Sequence, residues 1–136
     1  FGLATQAKLV IMDEPTNGLD IPSKAQFRKI MASALTEDRC IIISTHQVRD
    51  LDNLIDTVIM VDENSIALKA SVEEITNKLC FKRVKEIDET VIYAEPNMAG
   101  YNAVMPNFHQ EDSKLDLELL FNAVLAEKNK LKPIFN

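Results

Sequence analysis

Glycine is scarce in this chain. Only Gly2, Gly18 and Gly100 occur in 136 residues. A phosphate-cradling loop of the form GxxxxGK(S/T) needs two glycines ahead of a Lys-Ser/Thr pair. None of the three glycines is followed by Lys, so these residues contain no such loop. Cysteine is equally sparse. Cys40 and Cys80 lack metal-ligand spacing, and Cys40 opens an apolar run, which reads as a buried thiol in a reducing compartment. Apolar runs stop far short of the ~18–20 residues that span a bilayer. No secretory leader is legible, because the first apolar stretch runs into Asp13 and Glu14. Positive charge is in deficit, with 15 Lys and Arg against 21 Asp and Glu, a net charge of -6. That balance argues against nucleic acid as the main partner.

Apolar residues make up 46% of the chain and charged residues 26%, the balance of one globular domain or a small domain with an appendage. Leu9-Val-Ile-Met ends in Asp13. A short apolar run without alternation suggests a strand covered on both faces, as in a parallel sheet. The turn-rich Asp13-Glu-Pro-Thr-Asn-Gly18 follows. Phe27, Ile30, Met31, Ala34 and Leu35 then recur at helical spacing. Ile41-Ile42-Ile43 reads as a second buried strand, so residues 9–44 form a βαβ unit.

A short helix is expected over Val48, Leu51 and Ile55. Strands are expected at 57–61 and 66–70, joined by the polar turn Asp62-Glu-Asn-Ser65. Ser71 with Glu74 has the spacing of a capping box for a helix burying Val72, Ile75 and Leu79. Beyond Cys80 the pattern shifts to alternating, charged strands. Residues 90–94 and 101–105 can pair across a turn around Asn97 and Gly100. Tyr93 and Tyr101 are expected to pack in that sheet, and His109 to lie on the surface. Leu117, Leu120, Phe121, Val124 and Leu125 form a helical stripe, with Lys128, Lys130 and Lys132 placed to end that helix. The expected architecture is α/β: a parallel layer with flanking helices, an antiparallel hairpin, and a small α+β module over 81–136, with a boundary near residue 80.

Strands of a βαβ unit are parallel, so their C-terminal ends share one sheet edge, where open α/β sheets bind ligands. If the two strands are neighbours, about 5 Å apart, Asp13, Glu14 and His46 meet at that rim. These residue types suit metal-assisted hydrolysis of a phosphoanhydride. A carboxylate at a strand end can hold Mg²⁺. A second can orient or deprotonate water. A histidine can donate to charge building on the phosphate. Alone, an Asp-Glu after a strand is an ordinary solvated turn, and a lone histidine is an ordinary cap. Their company decides the reading.

Leu9-Val-Ile-Met-Asp13-Glu14-Pro15-Thr16-Asn17-Gly18-Leu19-Asp20 resembles the Walker B motif and D-loop of ABC ATPases, and Ser44-Thr45-His46 resembles their H-loop. The resemblance covers residues 1–80 and says little about 81–136. It implies a partial P-loop NTPase-type sheet, with ATP and Mg²⁺ as the site's ligands. By position, Asp13 would be the Mg²⁺ carboxylate, Glu14 the catalytic base, His46 the switch histidine at the γ-phosphate, and Asp20 the D-loop aspartate that touches the partner subunit across the dimer, grouped with Asp13 among the cofactor-binding residues. Asp20 equally suits the N-cap of the following helix.

The family's phosphate loop, glutamine loop and LSGGQ signature lie upstream of the Walker B strand and have no counterpart here. Phe1-Gly2-Leu3-Ala4 would be the tail of the helix after the signature, and the chain is expected to be the C-terminal fragment of a longer protein. The implied partners are a second ATPase subunit across a nucleotide sandwich and a transmembrane transporter subunit at the cytoplasmic face of the membrane. The fragment, with half a sheet removed, is expected to be inactive and to self-associate. Two alternatives stand beside transport: an ABC-type ATPase of chromosome maintenance or repair, and a non-catalytic interaction or regulatory module.

Overall fold

The structure is a computed structural model describing residues 7–51 and 53–135. The Phe1–Ala4 segment, expected to end a helix, lies outside the described residues. The chain divides into two compact units, Phe1–Leu54 and Ile55–Asn136.

In the first unit, β1 (Leu9–Asp13) pairs in parallel with β2 (Cys40–Ser44), joined through α1 (Ile21–Ala34). The βαβ unit read from the sequence is therefore present. Helix α1 begins where Asp20 accepts the Ser23 backbone N–H at 2.9 Å, with Pro22 in its first turn. Met31 is its buried residue, and Val10 is buried on β1. The expectation of strands covered on both faces is not met: Leu9 is 54%, Ile11 69% and Ile42 49% exposed. Two strands form the whole parallel layer among the described residues, so nothing flanks their outer face. For the same reason Cys40, expected buried, is exposed, while Cys80 is buried. The helix expected over 48–55 contracts to a 3-10 turn, Val48–Leu51, which buries Leu51.

The second unit opens with an antiparallel hairpin, β3 (Thr57–Asp62) and β4 (Ser65–Ser71). Its turn residues Glu63 and Asn64 have φ of 46° and 65°, the paired left-handed conformation that matches strand twist. Val58, Met60, Leu68 and Ala70 alternate inward and are buried. Ser71 then caps α2 (Val72–Lys78), accepting the Glu74 N–H at 3.0 Å. The expected capping box is half made, because the Glu74 carboxylate pairs with Lys78 at 2.7 Å.

Strands β5 (Leu79–Val84), β6 (Tyr93–Asn97) and β7 (Gly100–Pro106) form an antiparallel sheet in the order β5-β7-β6. Tyr93 and Tyr101 both lie in it, and His109 is exposed. Asp116 caps α3 (Leu117–Ala126) by accepting the Leu119 N–H at 3.0 Å. The buried stripe of α3 is Leu117, Leu119, Leu120, Ala123 and Val124. The stripe is rotated from the expected one: Phe121 and Leu125 are 38% and 40% exposed, because the buried face centres on Leu120. The lysines do not end this helix. It breaks at Glu127, and Lys128 starts α4 (Lys128–Phe135), which buries Leu131. The Lys128 ammonium pairs with the Asp62 carboxylate, and α3 and α4 both contact β4. The change of character near residue 80 falls inside β5, and residues 81–135 pack with the hairpin in one unit.

Among the described residues, four α-helices and three small sheets make a mixed α/β arrangement. No helix among the described residues is long and apolar enough to cross a membrane. Gly100 holds the β6–β7 turn at φ +139°, and a Cβ there would stand 2.3 Å from the Val84 carbonyl oxygen. Gly100→Ala should therefore destabilise the second unit by about 1–3 kcal/mol, read as a lower denaturant midpoint, since both the backbone conformation and the clash oppose it.

Candidate functional site

The parallel register places Asp13 opposite Ser44, the last pair of the two strands. Glu14 extends the ladder by one bond, its N–H donating to the Ser44 carbonyl at 2.8 Å. The chain then turns sharply. Glu14 itself sits at φ 45°, a conformation uncommon outside glycine. The Asn17 N–H reaches the Glu14 carbonyl at 3.1 Å and the Leu19 N–H reaches the Thr16 carbonyl at 3.2 Å. Pro15 suits the second position of the first turn, and Gly18 takes φ 75° in the second. Two consecutive turns thus reverse the chain between strand and helix and leave both carboxylates at the strand end.

Of the sequence-derived residues, Glu14 and His46 meet directly, and Asp13 lies at the same strand end, bonded to Ser44. The Ser44 hydroxyl donates to Asp13 Oδ1. Thr45 Oγ1 donates to Glu14 Oε2 at 2.8 Å, and the His46 backbone N–H donates to Glu14 Oε1 at 3.0 Å. His46 Nδ1 stands 2.6 Å from the same oxygen. The Glu14 side chain is 30% exposed and the His46 side chain 72%. Asp20 stands apart in role: its carboxylate is engaged as the cap of α1.

Hydrogen bonding sets the electrostatics. The His46 ring, then the Thr45 hydroxyl, hold the Glu14 carboxyl below its ordinary range, each favouring the anion. The Ser23 contact does the same for Asp20. Burial opposes ionisation of Asp50. The Lys24 ammonium and the Thr16 hydroxyl outweigh it and hold Asp50 below the usual carboxylate range.

Sequence reasoning missed three features. It placed His46 against phosphate and did not foresee its direct pairing with Glu14. It gave no role to the Ser44 and Thr45 hydroxyls, although the facing of Asp13 and Ser44 follows from pairing two equal strands in register. It also passed over Thr16, Lys24, Gln47 and Asp50, whose partners are set by the fold alone.

Residues able to hold a cation here are few. Asp13 offers an exposed carboxylate beside the Ser44 hydroxyl. No group of three or more His, Cys, Asp or Glu side chains among the described residues makes a self-sufficient cage. One hard carboxylate at an open strand end fits Mg²⁺, which keeps its waters and completes its shell with substrate phosphates.

The curated relatives of this chain are ABC transporter ATP-binding proteins. The ribose import ATP-binding protein RbsA of Roseobacter denitrificans is 35% identical over 74 residues, 54% of this chain and 14% of its own length. The ABC transporter ATP-binding protein YdbJ of Bacillus subtilis is 29% identical over 108 residues, 79% of this chain and 32% of its own length. The energy-coupling factor transporter ATP-binding protein EcfA2 of Staphylococcus aureus is 35% identical over 74 residues, 54% of this chain and 26% of its own length. The chain therefore spans between 14% and 32% of the length of these relatives. No protein-family model matches it.

The Glu14 contacts have a pH consequence. A carboxyl depressed in the folded state adds stability above its unfolded value and loses it as pH falls through the folded one. Carboxyl carbon NMR should show Glu14 titrating below an ordinary glutamate. His46→Ala should move that midpoint upward. A wild-type midpoint at the ordinary value would contradict the hydrogen-bond assignment.

Proposed function

We propose that these residues form the hydrolytic side of an ATP site, and that the intact protein hydrolyses ATP to drive a transporter. The observation that carries this reading is the meeting of Asp13 and Glu14 with Ser44, Thr45 and His46 at the C-terminal end of two paired parallel strands. The similarity to transporter ATP-binding proteins supports it over chromosome maintenance or repair.

In this reading Asp13 would hold Mg²⁺, its carboxylate steadied by the Ser44 hydroxyl. The cation's contribution when bound is to neutralise phosphate charge. Glu14 orients the attacking water and accepts its proton. Its two oxygens already accept from Thr45 and His46. A carboxylate so engaged is a weak base. At least one donor must turn away before water is activated, and His46 is the exposed one. With the Nδ1 proton directed at Glu14, a neutral His46 ring presents Nε2 as an acceptor only. Donation to a phosphate oxygen therefore needs the imidazolium or a ring turned off Glu14. Either route couples phosphate arrival to release of the base.

Asp20 is proposed to approach the nucleotide across a dimer of ATPase subunits while keeping its cap on α1. The transmembrane partner would place the assembly at the cytoplasmic face of the membrane. Residues 81–136 are proposed as accessory to the site.

Glu14→Gln in the intact protein should lower turnover by ~10²–10⁴ while ATP binding persists, because glutamine keeps the shape but cannot take the proton. Asp13→Asn should instead weaken the Mg²⁺-dependent nucleotide complex. Identical nucleotide binding by the two variants would refute this division of roles.

The present 136 residues contain no GxxxxGK(S/T) loop. Such a loop's amides and lysine supply much of the grip on phosphates. Calorimetric titration of this chain with Mg·ATP should give little heat, and micromolar binding would overturn that expectation.

A further inference from the structure

Thr45 and His46 sit on a short connection that must be held in place for its donors to meet Glu14. Thr45 Oγ1 accepts the Gln47 N–H at 2.9 Å, which leaves its own proton directed at Glu14. Gln47 is anchored in turn: its Oε1 accepts from Lys24 Nζ at 2.9 Å. The same ammonium lies 2.8 Å from Asp50 Oδ2, with side chains 24% and 15% exposed. The Asp50 backbone N–H closes the turn onto the Gln47 carbonyl at 3.2 Å. Gln47 Nε2 lies 3.5 Å from Asn17 Oδ1. Asn17 and Thr16, the one buried polar residue among those described, belong to the turn that carries Glu14. Lys24 itself stands on the first hydrogen-bonded turn of α1, its N–H donating to the Asp20 carbonyl at 2.9 Å.

The contacts form a circuit: Glu14 to Thr45, Thr45 to Gln47, Gln47 to Lys24 and, through its amide nitrogen, to Asn17 of the Glu14 turn, with Lys24 paired to Asp50. From it we infer that Lys24 is a positioning residue for the hydrolytic site, an ammonium strut that with Asp50 locks the post-β2 connection against the post-β1 turn and so aims Thr45 and His46 at Glu14. This inference rests on the ATPase reading above. A simple surface ion pair does not account for the arrangement. Both partners are largely withdrawn from water, and the pair joins α1, which follows the Glu14 turn, to the 3-10 turn that follows His46. An exposed pair is worth little, whereas breaking a desolvated one leaves an uncompensated charge.

Lys24→Met keeps the apolar stem and deletes the ammonium. In the intact protein it should lower kcat by about 10- to 100-fold, since small misplacements of catalytic groups carry losses of that order. KM for ATP should stay within about twofold, because the strut touches no nucleotide-binding group. Lys24→Arg should recover most of the rate. Lys24→Met added to Glu14→Gln should cost little more than Glu14→Gln alone, because the strut acts through Glu14. Hydrogen exchange gives a readout independent of activity. The His46 and Gln47 amides should lose protection in Lys24→Met, while the β1 and β2 amides keep theirs and show the unit folded.

If Lys24→Met does not fold, the neutral pair Lys24→Gln with Asp50→Asn replaces it, with the same expected outcomes. An unchanged kcat with unchanged exchange, in a protein that Glu14→Gln inactivates, would overturn the strut alone. Equal loss in kcat and in ATP affinity without rescue by arginine would also overturn it. Full turnover by Glu14→Gln would instead remove the ATPase reading, and the exchange data would still show whether the circuit holds the connection.

Discussion

The parallel pairing of β1 with β2 is the constraint on which the rest of the site depends. Ladder hydrogen bonds align Leu9 with Cys40 and, four residues on, Asp13 with Ser44. Because both strands run the same way and end together, their next residues emerge at one rim. A slip of one residue would turn every side chain to the opposite face. Asp13 would then lose Ser44, and Glu14 would lose Thr45 and His46. The ladder extends one bond further, from Glu14 to the Ser44 carbonyl, so register and site are fixed by the same interaction.

At this rim geometry and acidity pull in one direction. Hydrogen bonds that hold Glu14 in place also stabilise its charge and blunt it as a base. Left-handed backbone at Glu14 adds strain at the same residue. The arrangement is thus a held carboxylate whose reactivity depends on which donors remain on it. His46 is the donor best placed to leave, being mostly exposed, whereas Thr45 is anchored from behind by the Gln47 amide.

The second unit shows how a short hairpin is kept from water. Two strands are not stable alone. The inner face of β3–β4 carries Val58, Met60, Leu68 and Ala70, and all four are buried. The β4 side of the hairpin meets α3 and α4, and the Lys128–Asp62 pair ties the last helix to the end of β3. Residues after 80 thus pack with the residues just before them in one unit, despite their different composition.

Much of the chain was legible in its residues because the deciding forces are local. Apolar runs at 9–12 and 41–43, the helical spacing of 27–35, the Ser71 cap and the turn at 62–65 each express short-range preferences, and each element forms. The convergence of Asp13, Glu14 and His46 also followed from sequence, since strand ends in a βαβ unit share an edge. Other features lay beyond that reach. The break at Glu127 and the rotation of the α3 stripe depend on which surface the helix meets. Exposure of Cys40, Leu9 and Ile11 depends on how many strands flank the layer. The circuit through Lys24, Gln47, Asp50 and Asn17 joins side chains from α1, a turn and a 3-10 segment, whose distances no spacing rule encodes. Sequence determined which residues can form strands, turns and charged pairs, because those preferences act over a few residues. Tertiary structure alone decided which donor meets Glu14, because that depends on contacts between segments some thirty residues apart.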